Sequence, residues 1–211
     1  MTATAPSQTE TPARRGNPLT GLIRTMRPRQ WVKNVLVLAA PFASGDIFDL
    51  NVLIAVGIAF AAFSLAASGV YLVNDVKDVE ADRAHPTKRN RPIAAGVVPP
   101  GLALAVAVLL FAASIAVSSL ASIDLAIVTV VYIVVQISYC LWLKHQPVMD
   151  IAIVASGFLL RAIAGGAAAQ IELSQWFLLA AAFGSLFMVA GKRYAEIRLA
   201  ERTGAKIRKS L

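Results

Sequence analysis

Residues 52–82 read V-L-I-A-V-G-I-A-F-A-A-F-S-L-A-A-S-G-V-Y-L-V-N-D-V-K-D-V-E-A-D. The part before Asn74 is almost wholly apolar and matches the ~20 residues that a helix needs to cross a bilayer. The polar part places Asp75, Asp78 and Asp82 at positions i, i+3 and i+7. On a helix this spacing gathers side chains on one face. The stretch therefore predicts a membrane-spanning helix that ends in an acidic face.

Three carboxylates on one face repel each other unless a cation lies between them. Oxygen ligands suit Mg²⁺, which commonly takes one or two carboxylates together with the phosphates of a substrate. Asn74 lies four residues before Asp78 and adds an amide oxygen to the same face. We therefore predict a Mg²⁺ site formed by Asn74, Asp75, Asp78 and Asp82. A solvated helix end of mixed charge is the alternative interpretation.

The composition indicates an all-α polytopic membrane bundle. Of the 211 residues, 57% are hydrophobic and 15% are charged, whereas soluble domains carry about 25% charged residues. The single Cys140 provides no disulfide framework. Six apolar segments are predicted to be transmembrane helices, at Trp31–Phe48, Val52–Val73, Gly101–Leu120, Leu125–Leu143, Val148–Ala169 and Leu173–Ala190.

The N-terminal region divides into a tail and a surface helix. Residues 1–18 are rich in Thr, Ala and Pro and are expected to be disordered. The apolar residues Leu19, Leu22, Ile23 and Met26 predict a short amphipathic helix on the membrane surface, which ends near Pro28. We expect residues 19–211 to form one transmembrane domain.

Charged residues predict the orientation. The connections near 44–51, 119–124 and 170–173 contain acidic residues but no Lys or Arg, while the other connections and both terminal regions are basic. The positive-inside rule then places the two termini in the cytoplasm. The net charge of +8 is explained by this topology and by phosphate binding, so nucleic acid is not required as a partner.

Carboxylates and cations at the same mouth of a bundle favour a phosphorylated ligand. Arg161 lies inside a predicted span, where an arginine is costly and is a functional candidate by default; an interhelical pair with a polar group such as Gln136 is the alternative. The candidate substrate-binding residues are Lys33, Tyr71, Lys88, Arg91, Tyr139, Lys144, Arg161, Lys192 and Arg193.

The motif from Asn74 to Asp82, followed by D-R-A-H-P-T-K-R-N-R-P-I at 82–93, resembles the first aspartate-rich motif of the UbiA superfamily of intramembrane transferases. The resemblance implies that the motif binds Mg²⁺ and the diphosphate of a donor, within a helical cavity open to the cytoplasm and to lipid. Aromatic prenyltransferases of the superfamily carry a second aspartate-rich motif, where this chain has K-R-Y-A-E at 192–196.

Three further stretches are similar to one branch of the superfamily: M-R-P-R-Q-W-V-K-N at 26–34, Y-C-L-W-L-K-H-Q-P-V-M-D at 139–150 and S-G-F-L-L-R-A-I-A-G-G at 156–166. That branch transfers 5-phosphoribosyl from phosphoribosyl diphosphate to decaprenyl phosphate for cell-wall arabinan. The resemblance implies these substrates, Mg²⁺, and Asp75, Asp78 and Asp82 as catalytic residues. It also implies a multi-pass protein of the plasma membrane, surrounded by membrane lipids and able to form homo-oligomers.

The family bundle has nine helices, so the chain is expected to lack the last third. Two other functions stay open on the sequence alone. One is prenyl transfer from a polyprenyl diphosphate to an aromatic acceptor. The other is transport of an ion or solute along a path lined by Arg161 and the acidic face.

Overall fold

The computed structural model describes residues 16–143 and 147–203, and every regular element in these ranges is helical. The all-α prediction is therefore confirmed for this part of the chain. The predicted disordered tail lies mostly outside the described residues, as does Lys144. The α-helices are α1 (Pro18–Met26), α2 (Ala39–Ser44), α3 (Leu50–Lys77), α4 (Val79–Ala84), α5 (Pro100–Ser119), α6 (Ile123–Leu141), α7 (Pro147–Ala169) and α8 (Gln175–Thr203). 3₁₀ segments cover Pro28–Leu38, Asp46–Phe48 and Lys88–Asn90.

Helix α3 is the centre of the bundle, since it packs against α1, α5, α6, α7 and the Pro28–Leu38 segment. Its buried face consists largely of alanine, serine and glycine. A Cβ atom at Gly69 would lie 2.5 Å from the ring of Phe111 on α5. Small residues allow membrane helices to approach closely, because packing rather than the hydrophobic effect drives their association.

Five helices in the described part of the chain are long and apolar enough to cross a membrane: α3, α5, α6, α7 and α8. The prediction of six transmembrane helices is corrected at its first segment, Trp31–Phe48. This segment consists of the end of a 3₁₀ helix, the short α2 and a 3₁₀ turn. Pro28 is the first residue of the 3₁₀ helix and Pro41 lies in the first turn of α2, positions where the missing proline N–H breaks no helical hydrogen bond.

The Pro28–Leu38 segment nevertheless runs along α3 in the opposite direction. Trp31 Nε1 donates to Ser68 Oγ at 3.1 Å, and Asn34 Nδ2 donates to Ser64 Oγ at 2.9 Å. The segment also contacts α7, where a Cβ atom at Gly165 would lie 1.8 Å from the carbonyl oxygen of Val37. Only glycine leaves room for this approach of backbone to helix.

Helix α3 continues through the first half of the polar motif. It ends at Lys77, and Asp78 adopts a bridging conformation with φ −90° and ψ 4° before α4 begins. We call the end of the bundle that carries α1, α4 and residues 85–99 the basic end. The opposite end, with Asp46, Asp124 and Glu172, is the acidic end.

The outward faces of the long helices are apolar. Val108, Leu109, Phe183 and Phe187 are exposed along the middle of α5 and α8. Side chains of this kind are stable where they face hydrocarbon rather than water. The chain is therefore an integral, multi-pass membrane protein.

Candidate functional site

A cavity of about 220 Å³ opens at the basic end between α3 and α6. We call it the bundle cavity. It brings together six of the residues predicted for the site, with four neighbours. It is lined by Arg27, Val70, Tyr71, Asn74, Asp78, Lys88, Arg91, Gln136, Tyr139 and Cys140.

The polar floor of the bundle cavity is an amide–carboxylate pair. Asn74 Nδ2 donates to Asp78 Oδ2 at 3.3 Å, and Cys140 Sγ donates to Asn74 Oδ1 at 3.8 Å. One helical turn separates Asn74 from Asp78, so both side chains leave α3 on the same face. The thiol is a weak donor, and it lies on the oxygen side of the Asn74 amide, towards α6.

The other two motif aspartates are buried in ion pairs. Arg91 Nη1 donates to Asp82 Oδ2 at 2.7 Å and to Asp75 Oδ1 at 3.2 Å. Arg27 Nη2 donates to Asp75 Oδ1 at 2.6 Å. The side chains of Asp75 and Asp82 are only 3% and 4% exposed. This network ties residues 85–92 and the end of α1 to α3.

In this structure Asp75 and Asp82 pair with arginines while Asp78 lines the bundle cavity, and the Mg²⁺ site of Asn74, Asp75, Asp78 and Asp82 stays a prediction. Within residues 16–143 and 147–203, no three acidic, His or Cys groups lie close enough to hold a metal ion. Asp78 and Asn74 still present oxygen atoms to the bundle cavity. Two protein oxygens suit Mg²⁺, because this ion usually completes its octahedron with water and substrate phosphates.

Arg27 is a site residue that the sequence did not single out. Its backbone is left-handed, with φ 54°, a conformation that costs a non-glycine residue about 1 kcal/mol or more. Its guanidinium lies 4.7 Å from the ring centroid of Tyr71 as well as beside Asp75. The following Pro28 gave a signal, since the residue before proline is disfavoured in a helix. The local turn thus aims Arg27 back at α3.

A second cavity of about 310 Å³ lies between α1 and the 87–92 stretch. We call it the loop cavity. Three cations, Arg27, Lys88 and Arg91, line both cavities and form the wall between them. Among the described residues, the loop cavity is lined by Arg24, Thr25, Arg27, Asp75, Thr87, Lys88, Asn90, Arg91 and Pro92.

Arg161 lies deeper in the bundle and is 7% exposed. Its guanidinium donates to Asn34 Oδ1 at 2.7 Å, Tyr132 Oη at 3.1 Å and the Gly157 carbonyl oxygen at 2.5 Å. It is not among the residues that line the bundle cavity. These contacts agree with the alternative interpretation of Arg161, a pairing with polar groups of neighbouring helices. The partners are Asn34 and Tyr132 rather than Gln136. Arg161 therefore joins α6, α7 and the Pro28–Leu38 segment.

The end of α6, the start of α7 and the second half of α8 meet at Asp150, which is buried. Tyr139 Oη and Arg193 Nη2 both donate to this carboxylate, and Arg193 Nη1 donates to Glu196 at 2.9 Å. The exposed Lys192 also lies 3.8 Å from Glu196. Cations of α8 thus occupy the place where a second aspartate-rich motif was expected for a prenyltransferase.

Two predicted binding residues remain to be located. Lys33 is exposed on the Pro28–Leu38 segment and is not part of the cavity lining. Lys144 belongs to residues 144–146, which the structure does not describe.

The fold and the site together define an integral membrane protein with an amide–carboxylate pair and several cations in one intramembrane cavity, which suits a metal-bound, phosphorylated ligand. A family model, the UbiA prenyltransferase family, matches residues 35–203. The chain belongs to this family, as the sequence predicted.

Curated relatives are similar over most of this chain. Decaprenyl-phosphate phosphoribosyltransferase of Mycolicibacterium smegmatis is 65% identical over 199 residues, which are 92% of this chain and 63% of the relative. The protein of the same name from Corynebacterium glutamicum is 65% identical over 195 residues, covering 90% and 59%. That from Mycobacterium tuberculosis is 63% identical over 199 residues, covering 92% and 66%. The chain thus spans about 60–66% of the length of these relatives.

Solved structures confirm the fold. A UbiA homolog from Archaeoglobus fulgidus bound to GPP and Mg²⁺ superposes with a TM-score of 0.72 at 19% identity, over 87% of this chain and 66% of that one. A structure of digeranylgeranylglyceryl phosphate synthase superposes with a TM-score of 0.69 at 16% identity, over 89% and 67%. At these identities the likeness concerns the helical bundle alone.

Proposed function

We propose that this chain takes part in Mg²⁺-dependent transfer of 5-phosphoribosyl from phosphoribosyl diphosphate to a polyprenyl phosphate. The observation that carries the proposal is the bundle cavity, where Asn74 and Asp78 face Arg27, Lys88 and Arg91. The identity of up to 65% with decaprenyl-phosphate phosphoribosyltransferases supports this choice of substrates. We place the reaction in the plasma membrane, with the basic end in the cytoplasm and the product serving cell-wall arabinan synthesis.

The carboxylate of Asp78 and the amide oxygen of Asn74 would hold Mg²⁺ in this scheme. The metal supplies positive charge that stabilises the leaving diphosphate. Asp75 and Asp82 would act indirectly, because they hold Arg27 and Arg91 in place rather than contact the metal. All four predicted motif residues thereby receive a role, but only two of them would contact the metal.

The basic side chains bind and orient the donor. Arg27, Lys88 and Arg91 would donate to diphosphate oxygens, and charge-assisted contacts of this kind are among the stronger hydrogen bonds. Tyr71 and Tyr139 contribute to the same lining. As the bond from C1 of the ribose to the diphosphate breaks, the diphosphate leaves with the electron pair, and an oxygen of the lipid phosphate forms the new bond to C1. The acceptor is already an anion near neutral pH, so the reaction needs no general base.

Prenyl transfer is the competing reaction. The residues at 192–196 favour ribosyl transfer, since Lys192 and Arg193 stand where a second group of carboxylates would hold the metal of a prenyl diphosphate, and they pair with Glu196 and Asp150. A donor with two phosphorylated ends needs cations in more than one place, whereas a prenyl diphosphate has one charged end and an apolar tail.

The test uses purified protein in lipid nanodiscs with radiolabelled phosphoribosyl diphosphate, decaprenyl phosphate and Mg²⁺. We expect label in the extracted lipid, lost on chelation of the metal. Asp78→Asn should reduce turnover by about a hundredfold or more, the cost typical of losing one electrostatic contact to a developing charge. Glu80→Gln is the matched control, because Glu80 is a nearby acid whose side chain is 81% exposed.

Two results would contradict the proposal. Transfer of a prenyl group from geranyl diphosphate to an aromatic acceptor, without ribosyl transfer, would assign the chain to the competing reaction. Equal turnover of Asp78→Asn and Glu80→Gln would remove Asp78 from the metal site. If the 211-residue chain is inactive alone, the same assay with the C-terminal part of the Mycolicibacterium smegmatis relative co-expressed decides between the two reactions.

A further inference from the structure

The loop cavity has no role in the reaction as described so far. It is about 310 Å³ in volume and shares Arg27, Lys88 and Arg91 with the bundle cavity. Because the two cavities have a common wall, a ligand of modest length could have one end in each. The loop cavity differs from the bundle cavity because residues of α1 and further residues of the 87–92 stretch contribute to its lining.

Charge in the loop cavity is strongly one-sided. Arg24, Arg27, Lys88 and Arg91 surround it, and Asp75 is the one carboxylate in its lining. That carboxylate is already bound by both Arg27 and Arg91. A second carboxylate, Asp82, pairs with Arg91 from outside the described lining, so cations still outnumber carboxylates around the loop cavity. A phosphate monoester carries about −1.5 to −2 charges at pH 7 and offers three strong acceptor oxygens.

The walls of the loop cavity are held in place by packing. Gly21 of α1 lies so close to the 92–98 stretch that a Cβ atom there would be 2.7 Å from Val98 Cγ2. Leu22 is buried in the same contact. Thr25 is fully buried and donates to the Gly21 carbonyl oxygen at 2.9 Å, which holds its side chain against α1. Preorganised groups bind an anion with a smaller loss of conformational entropy.

We propose that the loop cavity is a binding site for a phosphate monoester, with Arg24 as the residue that belongs to this site alone among its cations. This inference rests on the proposed function in one respect: in a transferase of phosphoribosyl diphosphate, the monoester is the 5-phosphate of the donor. The diphosphate end then lies in the bundle cavity. A membrane lipid with a monoester headgroup, phosphatidic acid, has the same chemistry and is a second possible source.

The first experiment measures binding directly. Ribose 5-phosphate is titrated calorimetrically into the protein in nanodiscs of phosphatidylcholine, and the titration is repeated in nanodiscs that contain phosphatidic acid. We expect Arg24→Gln to weaken the binding of ribose 5-phosphate by about tenfold, the loss typical of one charge-assisted contact. Arg29→Gln is the control, because Arg29 is exposed nearby and lines neither cavity. Competition by phosphatidic acid that Arg24→Gln abolishes would identify the lipid as a natural ligand of the same site.

The second experiment separates this inference from the proposed function. In the ribosyl-transfer assay, Arg24→Gln should raise the KM for phosphoribosyl diphosphate by about tenfold and should weaken inhibition by ribose 5-phosphate equally. Unchanged KM and inhibition in an active enzyme would overturn the loop-cavity site and leave the proposed function intact. Arg24-dependent binding of ribose 5-phosphate without ribosyl transfer would support the site and count against the function. Binding of neither ribose 5-phosphate nor phosphatidic acid would also overturn the site.

Discussion

Arg91 joins two buried carboxylates, so its removal should destabilise the protein as well as affect ligand binding. In Arg91→Ala, Asp82 loses the ion-pair partner that the described contacts give it, and Asp75 keeps only Arg27. In the native structure both carboxylates are nearly inaccessible to water. The substitution therefore tests whether the basic end is held together by this network.

The size of the effect follows from the exposure of the three side chains. A hydrogen bond to a charged group contributes about 1.5–3 kcal/mol net, and breaking a buried ion pair costs about 3–5 kcal/mol. Arg91 is 28% exposed, so water replaces part of its interaction, and Arg27 compensates at Asp75. We expect a loss of about 3 kcal/mol, most of it at Asp82.

Equilibrium unfolding by sodium dodecyl sulfate, followed by the fluorescence of the three tryptophans, measures this loss. Arg89→Ala is the control, because Arg89 is an exposed arginine of the same stretch. The double variant Arg91→Ala/Asp82→Asn should recover more than half of the stability, since a neutral amide costs less to bury than an unpaired carboxylate.

Equal unfolding midpoints for Arg91→Ala and Arg89→Ala would refute the assignment of a structural role to the ion pairs. A double variant that is no more stable than Arg91→Ala would show that the loss has a different origin from the unpaired charge of Asp82. The two comparisons are independent of activity, so they apply whatever reaction the protein catalyses.

Three further predictions concern the bundle. Gly165→Ala should cost about 3 kcal/mol or more through overpacking, because the added carbon would lie 1.8 Å from the Val37 carbonyl oxygen; detergent unfolding measures it, and a native midpoint would contradict the close approach. Asp150→Asn should loosen α8 and lower stability by about 3 kcal/mol through its arginine partner, with faster hydrogen exchange at the end of α8 as the readout. Asp46→Cys and Asn90→Cys, each in a background without the native thiol, should react with an impermeant maleimide from opposite sides of the membrane, and labelling of both from one side would disprove the topology.

The architecture could be predicted because its signals are local. Apolar runs of transmembrane length gave the five long helices, with boundaries mostly within two residues of those observed. The same reasoning failed at Trp31–Phe48, where backbone geometry depends on Gly165 of a distant helix. A hydropathy pattern contains no information about that contact, so it could not distinguish a 3₁₀ segment from an α-helix.

The sequence could predict which residues gather at the site, but not which of them form ion pairs with each other. The spacing of Asn74 and Asp78 predicted their shared face correctly. It could not indicate that Asp75 and Asp82 turn to Arg91, since that pairing requires the chain to reverse after α4. Arg27 and Asn34 were missed for a similar reason: each acquires its partner only when the Pro28–Leu38 segment packs on the bundle.

The 3₁₀ geometry of Pro28–Leu38 changes how crossings of this chain are counted. A 3₁₀ helix rises about 2.0 Å per residue, so these 11 residues extend roughly 22 Å, against roughly 16 Å for the same number in an α-helix. With α2, the segment reaches from Arg27 beside Asp75 to the opposite end of α3, although it contains no helix of transmembrane length. Counting long helices gives an odd number and separates the two ends of the chain, while including this extended segment gives an even number and returns them to the same side. The side of the membrane assigned to each terminus therefore depends on whether this one segment, which fails a length criterion, is counted as a crossing.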